Sequence, residues 1–328
     1  MAKRNILVLY TGGTIGMKQN DKGVYVPKKD ELVRHITGMK FSSGGHNGEF
    51  TIMFNNSEVH YKIKEYDRLI DSSNISPKEW KQLASDIKKF YDDYDGFVIL
   101  HGTDTLAYTS SVLSFMLEGL SKPVILTGAQ IPIFEDNSDG IDNIYWSLYI
   151  ASQCDISEVC VYFGNKLLRG NRCTKIDTTD FVAFDSPNFK ELATVVSNEL
   201  MWTELNEKVG IFYFTPTTTK QNVQSYLAEL EGLVILTYGV GNVNKTNEII
   251  DVLKEAINKG VVIINVSQCL KGPVKTDYLS GNDLSKGGVI SGKDMTIEAA
   301  YAKLVVMLNR KKDEIFKKNI RGEMTETN

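Results

Sequence analysis

Short runs of apolar, often β-branched residues recur along the chain and alternate with stretches of helical period, the pattern of an α/β architecture. Strands are predicted at Asn5–Tyr10, Gly96–Leu100, Val124–Thr127, Val159–Phe163, Gly210–Phe214, Leu233–Thr237 and Val261–Asn265. Several are apolar throughout, as expected of strands covered on both faces. Between Asp71 and Tyr94 lies a helix with full punctuation. Ser76 suits the N-cap, Pro77 the first helical position and Glu79 the capping box, with Ile75 and Trp80 placed as a hydrophobic staple. Trp80, Leu83, Ile87 and Phe90 repeat at helical spacing and are read as core. A second helix is predicted from about Asp139, with Ile141, Ile144, Tyr145 and Leu148 on one face.

The pattern lapses between Asp185 and Lys208, around Ser186-Pro187-Asn188, and resumes at Gly210. This predicts an N-terminal domain over 1–190, a connection over 191–208 and a C-terminal domain over 209–328. A length of 328 residues accommodates both. No internal repeat or low-complexity tract is present. The longest apolar runs fall short of the ~20 residues needed to span a bilayer. Lys3-Arg4 before Ile6–Tyr10 imitates a secretion signal, but Thr-Gly-Gly follows in place of a cleavage site. A net charge of -4 argues against a nucleic-acid partner. The four cysteines (Cys154, Cys160, Cys173, Cys269) have neither zinc spacing nor a disulfide framework and are expected to be buried or half-buried free thiols, which suits a cytoplasmic protein.

Three segments carry candidate chemistry. Thr11-Gly12-Gly13-Thr14-Ile15-Gly16-Met17 follows the first strand, and its glycines permit a sharp turn and a close approach to a ligand. Its spacing matches neither the dinucleotide nor the phosphate-loop pattern, and a plain tight turn is the alternative. His101-Gly102-Thr103-Asp104-Thr105 follows another buried strand. Asp104 there is either an N-cap or a carboxylate facing an ammonium group. Thr174-Lys175-Ile176-Asp177-Thr178-Thr179-Asp180 is polar, and Lys175, if drawn into a desolvated crevice beside Thr103, would act as a proton acceptor. His101 is a weaker candidate base, because it ends an apolar strand and has no evident partner.

Together these segments resemble the bacterial-type L-asparaginases, most closely the cytoplasmic type I branch. The likeness extends through Asp71-Ser72-Ser73-Asn74, Thr127-Gly128-Ala129-Gln130, Arg169-Gly170-Asn171-Arg172, Tyr238-Gly239-Val240-Gly241-Asn242 and Arg321-Gly322-Glu323, essentially the whole chain. It implies a two-domain asparaginase-like α/β fold: a larger N-terminal domain with a left-handed crossover, against the usual hand, and a smaller flavodoxin-like C-terminal domain. It implies hydrolysis of L-asparagine to L-aspartate and ammonia through a threonyl ester, with glutamine at most secondary and with neither cofactor nor metal. On this resemblance Thr14 matches the nucleophile, Tyr25 the tyrosine of a mobile loop that assists it, and Thr103 with Lys175 the second proton-transfer pair. Asp71, Ser72 and Ser73 match the segment holding the substrate α-carboxylate, and Asp104 the residue facing its α-ammonium. Residues 18–29 are polar, contain Gly23 and Pro27, and are expected to form the lid that carries Tyr25.

The resemblance also implies self-association as a homodimer or a dimer of dimers. A partner-subunit glutamate, present near the tyrosine in periplasmic relatives, has no evident match. Some type I relatives bind a second, activating asparagine. The corresponding positions are Thr174, Leu236, Thr237, Tyr238, Ser267 and Cys269, with Leu236 standing where an arginine would hold a carboxylate. Leu236 also reads simply as strand core. Two rivals share the motifs. An amidotransferase subunit would carry a further N-terminal domain, for which no room is expected before Tyr10. An amino-acid sensor would need binding groups but no nucleophile.

Overall fold

Ile6 to Tyr10 are each at most 1% exposed, because the strand they form has neighbours on both edges and layers on both faces. A computed structural model of the chain describes residues 3–39, 42–44, 46–54, 57–189, 205–243, 247–275, 279–310 and 313–326. The described residues fall into two compact units, one within Met1–Asp185 and one drawn from Ser186–Lys190 and Trp202–Asn328.

The first unit runs β1 (Arg4–Gly12), β2 (Met17–Gln19), β3 (Tyr25–Pro27), α1 (Glu31–Thr37), β4 (Ser43–Gly44), β5 (Glu49–Phe54) and β6 (Ser57–Ile70). It continues through α2 (Pro77–Lys89), β7 (Gly96–Leu100), α3 (Leu106–Met116), β8 (Val124–Thr127) and α4 (Gly140–Gln153). It ends with β9 (Val159–Phe163), β10 (Lys166–Arg169), β11 (Thr174–Lys175) and β12 (Phe184–Asp185). Eight strands make one sheet in the order β10-β9-β8-β7-β1-β6-β5-β4. The five central strands, β9 to β6, are parallel, and the outer pairings are antiparallel. The chain leaves β1 for β6 on one side and then crosses to β7 on the other, so β1 lies at a switch point where a crevice opens at the strands' carboxyl ends.

The predicted strands of this unit are present, and so is the capping box of α2. The Ser76 amide donates to Glu79 Oε2 at 2.9 Å, and Pro77 opens the helix. Trp80, Leu83 and Ile87 are buried as expected, while Phe90 at the helix end is only half-buried. Trp80 Nε1 donates to Thr109 Oγ1 at 2.9 Å, satisfying its one polar atom. The pattern reading missed β5 and β6. In β6 Val59, Tyr61 and Ile63 face inward, but His60 and Lys62 stand between them and Glu58, Lys64 and Glu65 flank them. A strand buried on one face reads as polar overall.

The second unit contains β13 (Val209–Tyr213), α5 (Lys220–Leu227), β14 (Gly232–Thr237), α6 (Asn247–Asn258), β15 (Val262–Ser267), α7 (Leu279–Lys286), β16 (Ile290–Ser291) and α8 (Ile297–Met307). Its four strands are all parallel and lie in chain order. Of the connection expected over 191–208, residues 191–204 lie outside the described ones. Asn206 packs in the second unit, donating from its amide to Val305 O at 2.7 Å. Asn188, expected in the N-terminal domain, donates from Nδ2 to Asp294 O at 3.0 Å and so joins the second unit.

Among the described residues no helix is long and apolar enough to cross a membrane. All four cysteines are free, but Cys269, expected at least half-buried, is exposed. It lies just past the end of β15, where the chain leaves the sheet.

Lys303 and Glu323, both 0% exposed, form an ion pair of 2.8 Å in the second unit. Glu323 also accepts from the amides of Ile320 and Arg321, pinning the C-terminal segment beside α8. Burial pushes the Lys303 ammonium down, and Glu323 opposes that. Glu323→Ala leaves the ammonium buried without its counter-charge and should cost about 3–5 kcal/mol. Urea unfolding reads this as a lowered midpoint, and an unchanged midpoint would show that the pair is dispensable.

Candidate active site

Two of the segments expected to carry chemistry meet each other and the turn at Ile70–Ser72 because glycine allows close approach. Gly12 and Gly13 follow β1 with φ of 123° and 84°, a region that side chains disfavour. A Cβ on Gly12 would fall 2.3 Å from Ile70 O, and one on Gly13 2.4 Å from both N and Cα of Gly102. A Cβ on Gly102 would in turn fall 2.5 Å from Ser72 Oγ. The turns at the ends of β1, β7 and β6 are thus packed closely, backbone to backbone at Gly12 and Gly13 and against the Ser72 side chain at Gly102. Gly13 and Gly102 immediately precede the candidates Thr14 and Thr103. Further bonds fix them: Gly13 N to Ile70 O (3.0 Å), Thr11 Oγ1 to Leu100 O (3.0 Å) and Thr105 Oγ1 to Ser72 O (2.8 Å).

Thr14 opens a single 3-10 turn, Thr14–Gly16, and is half-buried. Thr103 opens the corresponding turn after β7, Thr103–Thr105, and is 6% exposed. This turn leads directly into α3, so its amides lie at a helix start, where partial positive charge gathers. Lys175 reaches across from β11. Its Nζ donates to Thr103 Oγ1 at 2.9 Å and pairs with Asp104 Oδ1 at 2.8 Å. The Lys175 side chain is 18% exposed and that of Asp104 63%. Asp104 caps no helix, since neither turn end near it receives a side-chain bond. The N-cap reading of Asp104 is thus not met, and its carboxylate pairs with Lys175 instead.

Asp71 and Ser73 are exposed at the crevice rim, whereas Ser72 is buried against Gly102. The Asp71 carboxylate accepts from Ser73 N at 3.2 Å, which sets the turn after β6.

The expected lid is a two-stranded hairpin of β2 and β3, with Gln19 opposite Tyr25. Its bend is set by Asn20, whose Oδ1 accepts from the amides of Lys22 (2.9 Å) and Val24 (3.1 Å). Tyr25 is 40% exposed, β3 lies alongside the Thr14 turn, and its hydroxyl donates to Glu135 Oε1 at 3.1 Å. Glu135 was missed in the sequence, where Ile131-Pro132-Ile133-Phe134-Glu135 reads as an ordinary loop.

His101 is 1% exposed and has both ring nitrogens engaged. Nδ1 lies 2.7 Å from Gly102 O, which can only accept, so Nδ1 carries the proton. Nε2, 3.0 Å from Thr109 Oγ1, is then the acceptor. Burial pushes the imidazole down to about 4, only partly offset by the bond to Gly102. It is a neutral brace behind the crevice and not a base within it. The Arg169–Arg172 motif is likewise structural: Arg169, Asn171 and Arg172 are buried, and Arg169 Nε bonds Glu158 Oε2 at 2.6 Å beneath the turn that leads to Lys175.

The candidate second-site positions lie in separate units. Thr174 pairs with Asp185 in the first. In the second, Leu236 is 4% exposed within β14, and Thr237 Oγ1 donates to Asn265 Oδ1 at 2.6 Å. Ser267 Oγ donates to Gly239 O at 2.5 Å and accepts from Cys269 N at 2.9 Å, next to Tyr238.

The chain matches the asparaginase N-terminal family model over residues 5–207 and the glutaminase/asparaginase C-terminal domain model over 208–319. It is 40% identical to L-asparaginase 1 of Escherichia coli K12, across 99% of both chains. It is 42% identical to an L-asparaginase of Dirofilaria immitis, covering 98% of this chain but 60% of that longer protein. The crystal structure of L-asparaginase I from Vibrio cholerae superposes with a TM-score of 0.85 at 38% identity, covering 99% of this chain and 100% of that one. With both domain models matched in order and full-length likeness in sequence and structure, the chain belongs to the asparaginase family.

Proposed function

We propose that the chain hydrolyses the side-chain amide of L-asparagine to L-aspartate and ammonia, with Thr14 as nucleophile. The observation that carries this reading is the contact of Lys175 Nζ with both Thr103 and Asp104, on a turn packed against the one that holds Thr14. Names of full-length relatives add asparagine as the substrate.

In this mechanism Thr14 Oγ1 attacks the amide carbon as Tyr25 takes its proton, and ammonia leaves with a proton returned to it. Water, activated by Thr103 and Lys175, then opens the Thr14 ester and releases aspartate. Amides of the helix-start turn at Thr103 supply donors for the oxyanion. Asp71, Ser72 and Ser73 hold the α-carboxylate at the crevice rim. The α-ammonium competes with Lys175 for Asp104, so substrate binding is coupled to the lysine's contact with Thr103. The β2–β3 hairpin closes over the substrate. Glutamine is a secondary substrate, since one methylene changes pocket binding by only ~1–3 kcal/mol. No cofactor is required, and the protein works in the cytoplasm.

Thr14→Ala should lower ammonia release by at least about 100-fold, while circular dichroism and the unfolding midpoint stay close to the parent. A slow substrate should leave its acyl group on Thr14 in peptide mass mapping. An acyl label on Thr103 would reverse the roles of the two threonines.

The second-site positions favour plain kinetics. Leu236 is strand core, and the Thr237 and Ser267 hydroxyls are already bonded within the second unit. The rate against asparagine concentration should be hyperbolic. A Hill coefficient clearly above one would establish an activating site.

The family likeness supports self-association as a homodimer or a dimer of dimers, with L-asparagine as the only other partner. Light scattering at assay concentration should find twice or four times the mass of the 328-residue chain. A fully active monomer would refute the assembly.

A further inference from the structure

The loop between β8 and α4 touches the Thr14 turn, the β2–β3 hairpin and α1. Ile133 N donates to Ile15 O at 2.9 Å, inside the Thr14 turn. Lys18 of β2 lies 4.3 Å above the Phe134 ring, and His35 of α1 meets the same ring edge-on at 5.0 Å. Next to Phe134, Glu135 accepts the Tyr25 hydroxyl of β3. One short loop therefore contacts the nucleophile turn and both strands of the hairpin.

The loop is stiff enough to set a distance. The Asp139 carboxylate accepts from Gln130 N at 3.0 Å and from Ile131 N at 3.1 Å. Ser138 Oγ donates to Ile131 O at 2.8 Å, and the amides of Glu135 and Ser138 close turns onto Pro132 O (3.0 Å) and Glu135 O (3.1 Å). Behind it, Asn143 Nδ2 ties Asp139 to Gly128 O. The hairpin is the opposite case. Two strands alone are marginal in water, and Tyr25 is too exposed for packing to hold its ring.

We propose that Glu135 is a positioning residue that holds the Tyr25 hydroxyl over the Thr14 turn, using a loop keyed to that turn through Ile133 and Ile15. The proposal rests on the reading of Tyr25 as the partner of Thr14. By taking the hydroxyl's proton as a hydrogen bond, the carboxylate leaves the phenol's lone pairs directed away from Glu135 and available to the threonine. A glutamate of the same chain thus supplies the anchor that the tyrosine requires. Glu135 is exposed, so its bond adds little to global stability and its replacement leaves the fold intact.

The test is a set of variants assayed by steady-state ammonia release: Glu135→Ala, Glu135→Gln, Tyr25→Phe and the double variant Glu135→Ala/Tyr25→Phe. Glu135→Ala should lower kcat on the order of 10-fold with KM changed less than about 2-fold. Glu135→Gln, which keeps an acceptor oxygen, should recover part of that loss. In the Tyr25→Phe background Glu135→Ala should have no further effect, because the hydroxyl it holds is gone. Equal losses in the two backgrounds, or an undiminished kcat in Glu135→Ala, overturn the proposal. Undiminished turnover in Tyr25→Phe sinks the role of Tyr25 itself. Hydrogen exchange then judges the contact separately: amides over 19–27 should exchange faster in Glu135→Ala than in the parent, and identical rates refute the anchoring.

Discussion

Everything at the crevice depends on contact between backbones at positions where no Cβ fits. Gly13 lies against Gly102, Gly12 against Ile70, and Gly102 against Ser72, so the turns after three adjacent parallel strands are locked at main-chain distance. Side chains could not fix these turns so tightly, because a flexible contact transmits only approximate positions. Thr14 and Thr103 each follow one of the touching glycines and so inherit the rigidity of the sheet. Catalysis by placement asks for this, since small displacements of reacting groups are expensive.

Around that fixed centre the residues divide by burial into braces and workers. His101 and Arg169 are buried, His101 with both ring nitrogens bonded and Arg169 paired with Glu158. They carry polar atoms into the core only because those atoms are satisfied. Lys175, Asp104 and Tyr25 keep partial exposure and bonds that a substrate or a moving segment can exchange. Asp104 in particular pairs with Lys175 while its own side chain stays largely exposed. The histidine next to the crevice is thus a support, while a lysine distant in sequence reaches Thr103 and Asp104.

The hairpin of β2 and β3 takes its position from a neighbouring loop. It has no core of its own, and it is guided from outside by the loop over 130–139, which also bonds the nucleophile turn. The second unit, with its parallel sheet and its buried Lys303–Glu323 pair, engages the Thr237 and Ser267 hydroxyls internally.

The chain's pattern alone determined the buried strands, because strands covered on both faces are written as unbroken apolar runs, as in Phe97–Leu100. It determined the start of α2, because capping is local chemistry within four residues. The motif turns were also legible, since glycine pairs at strand ends have few other uses. It left β6 unread, because a strand buried on one face mixes lysines and glutamates with its inward Val59, Tyr61 and Ile63. Only the tertiary structure decided what meets what. Lys175 is 72 positions from Thr103, and Glu135 is 110 from Tyr25. Such contacts arise from strand order and loop closure, which no local period encodes. Whether Asp104 caps a helix or turns its carboxylate to the crevice was open for the same reason. Both roles suit one carboxylate, and the choice between them is made by a strand that arrives from elsewhere in the sheet's surroundings.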